Sequence, residues 1–174
     1  LILYSVGFFG LYLIKKHFRL SIIPFTIIFL LFNFNGHITA HLGVGHTAWN
    51  GYFLLPFFFL VVLSMLQKQS SPPIHVPLLI ALILLCKMMQ GSFHFFNWCI
   101  MFLFCIGFVH HKYLKTMAFS IFFACLFSLF RLVPTALVRL DYKASYASGY
   151  PTINTLVDAL TTIKAHLYQH PRSA

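Results

Sequence analysis

The run TMAFSIFFACLFSLFRLVPTALV, residues 116–138, decides the class of this chain: it is 23 residues long and its single charge is Arg131. A helix of about 20 apolar residues matches the hydrocarbon core of a bilayer, and a backbone held there must bond within itself, as a helix does. Five further apolar windows lie upstream, at residues 1–14, 20–34, 51–66, 76–89 and 93–109, separated by basic or Gly/Pro/Ser clusters. The expected fold is all-α, a polytopic transmembrane helix bundle of about six spans. Several windows are shorter than a perpendicular span requires, so either their polar ends are buried in protein or the helices extend into adjoining residues.

Composition points the same way. Of 174 residues, 60% are hydrophobic and 8% are charged, where a soluble domain has roughly a quarter charged; a soluble domain is ruled out. Asp141 and Asp158 are the only acids, and there is no Glu, which excludes any mechanism that needs a glutamate from these residues. The net charge of +10 is carried singly or in short clusters between apolar runs. That is the pattern of topology-setting loops rather than of a nucleic-acid surface, so the expected partner is the lipid bilayer and not nucleic acid. Cys86, Cys99, Cys105 and Cys125 all fall inside apolar runs with no C-x-x-C pair, and they read as small core hydrophobes rather than as a zinc or redox site. Because the chain opens at Leu1 inside an apolar run, the expectation is a piece of a longer polytopic protein.

Lys15, Lys16 and Arg19, then Lys68, then Lys112 and Lys115 occupy alternate connections, while residues 35–50 and the hairpin 90–92 carry no Lys or Arg. The positive-inside rule puts the first set in the cytoplasm and residues 35–50 outside it. The domain division is a transmembrane domain over 1–139 and an extracytoplasmic segment over 140–174. In the latter, Ile153, Leu156, Val157, Leu160, Ile163 and Leu167 recur at helical spacing, as in an amphipathic interfacial helix.

The polar residues then sort by side. The 35–50 connection holds His37, His41, His46, Trp49 and Asn50 among glycines that allow tight turns. Long structured loops usually carry a function; the alternative is that the histidines cap helix ends and Trp49 anchors at the interface. His94 and Asn97 open the fifth window on the same side, on one helical face with Trp98, and either bond between helices or meet a substrate. Arg131 lies near that end of the sixth window, beside the helix-opening Pro134, and an ionisable group at membrane depth should face protein or water. With Arg139 it suits a phosphate or pyrophosphate; the alternatives are snorkelling to the headgroups or pairing with Asp141. His37 and His41, four residues apart, with His46 as a third ligand, have the spacing that a divalent metal would use. No carboxylate or Cys in the connection completes such a site, so no metal or other cofactor is expected. The pair His110 and His111 falls on the cytoplasmic side and reads as basic helix-end residues.

Four stretches carry a resemblance: HLGVGHTAWNGYFLLP at residues 41–56, GSFHFFNW at 91–98, FRLVPT at 130–135 and SGYP at 148–151. Together they resemble bacterial multi-pass proteins allied to the GT-C glycosyltransferase superfamily. The resemblance implies a helical enzyme of the bacterial inner membrane that moves a sugar from a polyprenyl-phosphate donor on the extracytoplasmic side. In such enzymes an acid in the first extracytoplasmic loop acts as base or metal ligand, whereas residues 35–50 contain no Asp or Glu. On this reading Arg131 and Arg139 hold the carrier phosphate, and His41, His46, Trp49, Asn50, His94 and Asn97 shape the sugar or acceptor pocket. The catalytic residue is left unassigned. The alternatives are a transporter or flippase-like protein, an acyltransferase using His94 and Asn97, and a non-catalytic membrane assembly protein. The apolar middles of the third and sixth windows disfavour a translocation path.

Overall fold

The computed structural model describes residues 2–68 and 72–141, with side chains through Val138, and contains helices and no strand among those residues. Seven α-helices follow in order: α1 (Ile2–Phe18), α2 (Ile22–Asn33), α3 (Gly36–Gly43), α4 (Leu55–Gln67), α5 (His75–Met89), α6 (Phe93–Val109) and α7 (Leu114–Asp141). A 3₁₀ helix, Thr47–Leu54, leads into α4, and a shorter one, His111–Tyr113, leads into α7. All six apolar windows are helical, and the first extends to Phe18 and the last to Asp141.

Three helical stretches are long and apolar enough to cross a bilayer, Ile22–Gly43, Thr47–Gln67 and His111–Val138, while α5 and α6 are apolar but shorter. On that ground the chain is a helical membrane protein. The surface agrees: α2 buries none of its residues, and Ile22, Ile23 and Leu31 are 64–70% exposed. Such a helix is stable only against an apolar surrounding.

Residues 35–50, read from sequence as a structured loop with tight turns, hold a helix. Gly36–Gly43 forms α3, started by Asn35, whose side chain accepts from the amides of His37 at 3.1 Å and Ile38 at 3.3 Å. Gly36 and Gly43 sit at the ends of that helix, where glycine costs little, and the turn falls at Gly45, whose φ is +82°.

Helices α1 and α4 run side by side in the same direction, and the contact is made by absent side chains. A Cβ on Gly7 would lie 2.9 Å from Phe53 Cδ1, and one on Gly10 would lie 2.8 Å from Pro56 Cβ. Close backbone approach of this kind is how helices gain packing contact in an apolar solvent. The main core is built by Phe58 and Val62 of α4, Ile80 and Leu84 of α5, Leu103 of α6, and Met117 and Ala124 of α7. Tyr113 is buried beneath the end of α4, where its hydroxyl donates to the carbonyls of Lys68 at 2.6 Å and Met65 at 3.1 Å. One compact unit covers Leu1–Thr135, and a second begins at Ala136, of which the last turns of α7 are described. The amphipathic helix expected around residues 153–167 lies outside the described residues.

Candidate functional site

Asn35 fixes the start of α3 and thereby sets His37 and His41 one turn apart, with their rings edge-on at 4.5 Å. The Gly45 turn sends the chain back, so that His46 Nδ1 comes within 2.9 Å of His41 Nδ1. The following 3₁₀ helix lays Trp49 flat on His41, ring centroids 4.3 Å apart and planes within 9°. From α6, Phe95 meets Trp49 edge-on at 5.5 Å, while His94 and Trp98 approach it at 6.3 and 6.5 Å. Two segments more than forty residues apart in sequence thus build one histidine and tryptophan cluster.

The bond between His41 and His46 joins two like nitrogens, so one ring donates and the other accepts. The accepting ring is neutral, and the pair carries at most one positive charge. A shared metal would hold two imidazole nitrogens roughly 3.4 Å apart, from metal–nitrogen bonds of about 2.1 Å at a tetrahedral angle, so the 2.9 Å separation is that of a hydrogen bond. Among the described residues there is no group of three His, Cys, Asp or Glu side chains placed to hold a metal ion. Beneath the cluster, a cavity of about 460 Å³ runs from Asn35, His37 and Trp49 at one end to Phe58, Phe59 and Phe102 at the other.

A buried polar knot holds the two segments together. Gly51 donates its amide to Ser92 Oγ at 2.9 Å, and its carbonyl accepts from Lys87 Nζ at 2.9 Å. Lys87 and Ser92 are fully buried, and the Lys87 ammonium also sits 5.6 Å from the centre of the Phe95 ring. The knot clamps the 3₁₀ helix onto the turn between α5 and α6, where Gly91 takes a φ of +76°, and this fixes Trp49 opposite His94 and Trp98. In the sequence reading Gly51 and Ser92 belong to the stretches 41–56 and 91–98 that carry the resemblance, and neither is given a part in tying the two segments together. Lys87 had a signal: it is an ionisable residue inside the apolar window 76–89.

His41, His46, Trp49 and His94 are therefore brought together. Asn50 is half-buried and Asn97 exposed, and neither side chain makes a hydrogen bond among the described residues. Arg131 has a partner that the sequence reading did not name: its Nη1 donates to the carbonyl of Met88 at 3.2 Å, at the C-terminal end of α5, where a cation is favoured by the helix dipole. Arg139 and Asp141 are placed on α7 as backbone positions, and their side chains lie outside what is described. His110 and His111 lie at the far end of α6, apart from the cluster. No protein-family model, curated protein or solved structure matches this chain.

Proposed function

We propose that this chain is a six-span protein of the bacterial inner membrane that binds a polyprenyl-phosphate-linked sugar at its extracytoplasmic end, as the donor-binding part of a GT-C-like glycosyltransferase. The observation that carries this reading is the flat stack of Trp49 on His41 at the end of a cavity lined deeper in by Phe58, Phe59 and Phe102. An aromatic face takes a sugar ring, imidazole nitrogens bond its hydroxyls, and an apolar depth takes an isoprenoid chain, which together make a pocket with few polar groups on an apolar lining.

In this reading α5 and α6 both cross, though their 15 and 17 residues rise only about 22 and 26 Å, a shortfall met by thinning of the bilayer around them. Arg131, one of whose five N–H donors is engaged by Met88, supplies a cation for the carrier phosphate. His46, Asn50, His94 and Asn97 supply hydrogen bonds to the sugar or acceptor. No carboxylate precedes Asp141 in the sequence, so the cluster is assigned to recognition, and the catalytic base belongs outside it.

Trp49 and Trp98 are the only two tryptophans, and both lie in the cluster, so tryptophan fluorescence, excited selectively over tyrosine, reports on this site. Titration of a short-chain polyprenyl-phosphoryl hexose into the full chain in detergent is expected to give a saturable change. Trp49→Ala, read through Trp98, should weaken that binding roughly three- to tenfold, the worth of one aromatic contact. A fluorescence signal that never saturates, or equal affinity in Trp49→Ala, would overturn the assignment.

A further inference from the structure

We propose that the cavity at the opposite end of α4 is a binding site for one anionic phospholipid. This inference rests on the chain being a membrane protein and is independent of the donor-binding reading. The cavity has a volume of about 670 Å³ and lies between the C-terminal ends of α1 and α4 and the start of α5. Lys16 and His17 of α1, Lys68 at the end of α4 and His75 of α5 stand around it, all four exposed. Leu13, Val61 and Leu79 are part of its apolar wall.

Among the described residues the two lysines have no carboxylate partner. The first acid in the sequence is Asp141, and no carboxylate lines the cavity. Two features lessen what would otherwise repel an anion there, the bare carbonyls of two helix ends. At the end of α4 the Tyr113 hydroxyl donates chiefly to the carbonyl of Lys68 at 2.6 Å while the carbonyl of Met65 accepts from the Lys68 amide at 3.1 Å, and the carbonyl of Lys15 at the end of α1 accepts from the Leu20 amide at 3.0 Å. His17 is also held in place. Ser64 Oγ donates its single hydrogen to the Leu60 carbonyl at 2.5 Å and so accepts from His17 Nε2 at 2.9 Å. A free phosphate ion would answer the charge and leave the apolar wall uncovered. A glycerophospholipid answers both, with its phosphate among the lysines and an acyl chain along the wall, as in basic pockets between membrane helices.

The test is native mass spectrometry of the full chain released from detergent with equal phosphatidylglycerol and phosphatidylcholine. A preference for phosphatidylglycerol on the order of tenfold is expected from two lysines near a lipid phosphate. Lys16→Gln/Lys68→Gln should bring the ratio to about one. Arg19→Gln/Lys115→Gln removes the same two charges from exposed residues outside the cavity, and it should leave the preference intact. Equal retention of the two lipids by the unaltered chain would overturn the proposal, as would a preference that survives Lys16→Gln/Lys68→Gln. So would an equal loss in both double variants, which would mark a general charge effect. Displacement of phosphatidylglycerol by millimolar inorganic phosphate would show a free-phosphate site and overturn the lipid assignment.

Discussion

Gly51 illustrates how much of this molecule rests on single positions. Its amide and its carbonyl both bond to buried side chains, Ser92 and Lys87, and a Cβ added to it would collide with both Cβ and Oγ of Ser92. Gly51→Ala should therefore cost about 1–3 kcal/mol, the usual range for overpacking, and Ser92→Gly about 1–2 kcal/mol through the unpaired Gly51 amide. The double variant Gly51→Ala/Ser92→Gly removes the colliding atoms, so its loss should be smaller than the sum of the two. Thermal unfolding of the four proteins in detergent reads this coupling, and strictly additive losses would show that the two residues do not constrain one another. Arg131 makes a related point: a cation that hydropathy marks as unusual has, in the fold, the ordinary task of meeting the last carbonyls of α5.

Among the elements, the pairing of α1 with α4 is set by where glycine is missing a side chain. Gly10 faces the rigid ring of Pro56, with a Cβ separation of 2.8 Å were it alanine, whereas a Cβ on Gly43 at the end of α3 meets nothing within 4 Å. The same substitution should thus have opposite effects. Gly10→Ala is expected to lose about 1–3 kcal/mol, and Gly43→Ala to be neutral or to gain up to about 1 kcal/mol by restricting the unfolded chain. Unfolding midpoints of the two variants measure this, and an unchanged midpoint in Gly10→Ala would mean that α1 does not pack tightly on α4. The short helix α3 is the element that sequence patterning reads as loop. Its eight residues carry a glycine at each end and two histidines, too little apolar periodicity to register, and its start depends on one Asn35 side chain.

For the molecule as a whole, topology turns on the α5–α6 pair. In a six-span arrangement Met89, at the end of α5, and Thr47 face one side of the membrane, while Lys68 and Lys115 face the other. A cysteine-free background carrying Met89→Cys or Lys68→Cys, labelled with an impermeant maleimide in oriented vesicles, should react from opposite sides. Labelling of both from the same side would reduce α5 and α6 to a hairpin that does not cross. Met89, 57% exposed, tolerates the substitution without disturbing the core.

Hydropathy alone determined that this chain is helical and belongs in a membrane. The physical reason is local: a run such as 116–138, apolar save for Arg131, has no other stable conformation in hydrocarbon. Sequence also marked His41, His46, Trp49 and His94 as candidates, since polar and aromatic residues stand out against an apolar background. Their assembly was decided only in three dimensions. Trp49 and His94 meet because Gly51, Lys87 and Ser92 tie two distant segments together, and such a tie depends on distances across the fold that no window of sequence contains. The same holds for the basic cavity, whose Lys16, Lys68 and His75 come from three helices. In sequence the two lysines are topology signals, and His75 does not stand out. In the fold they surround one space that no carboxylate among the described residues lines, and that juxtaposition is a property of packing.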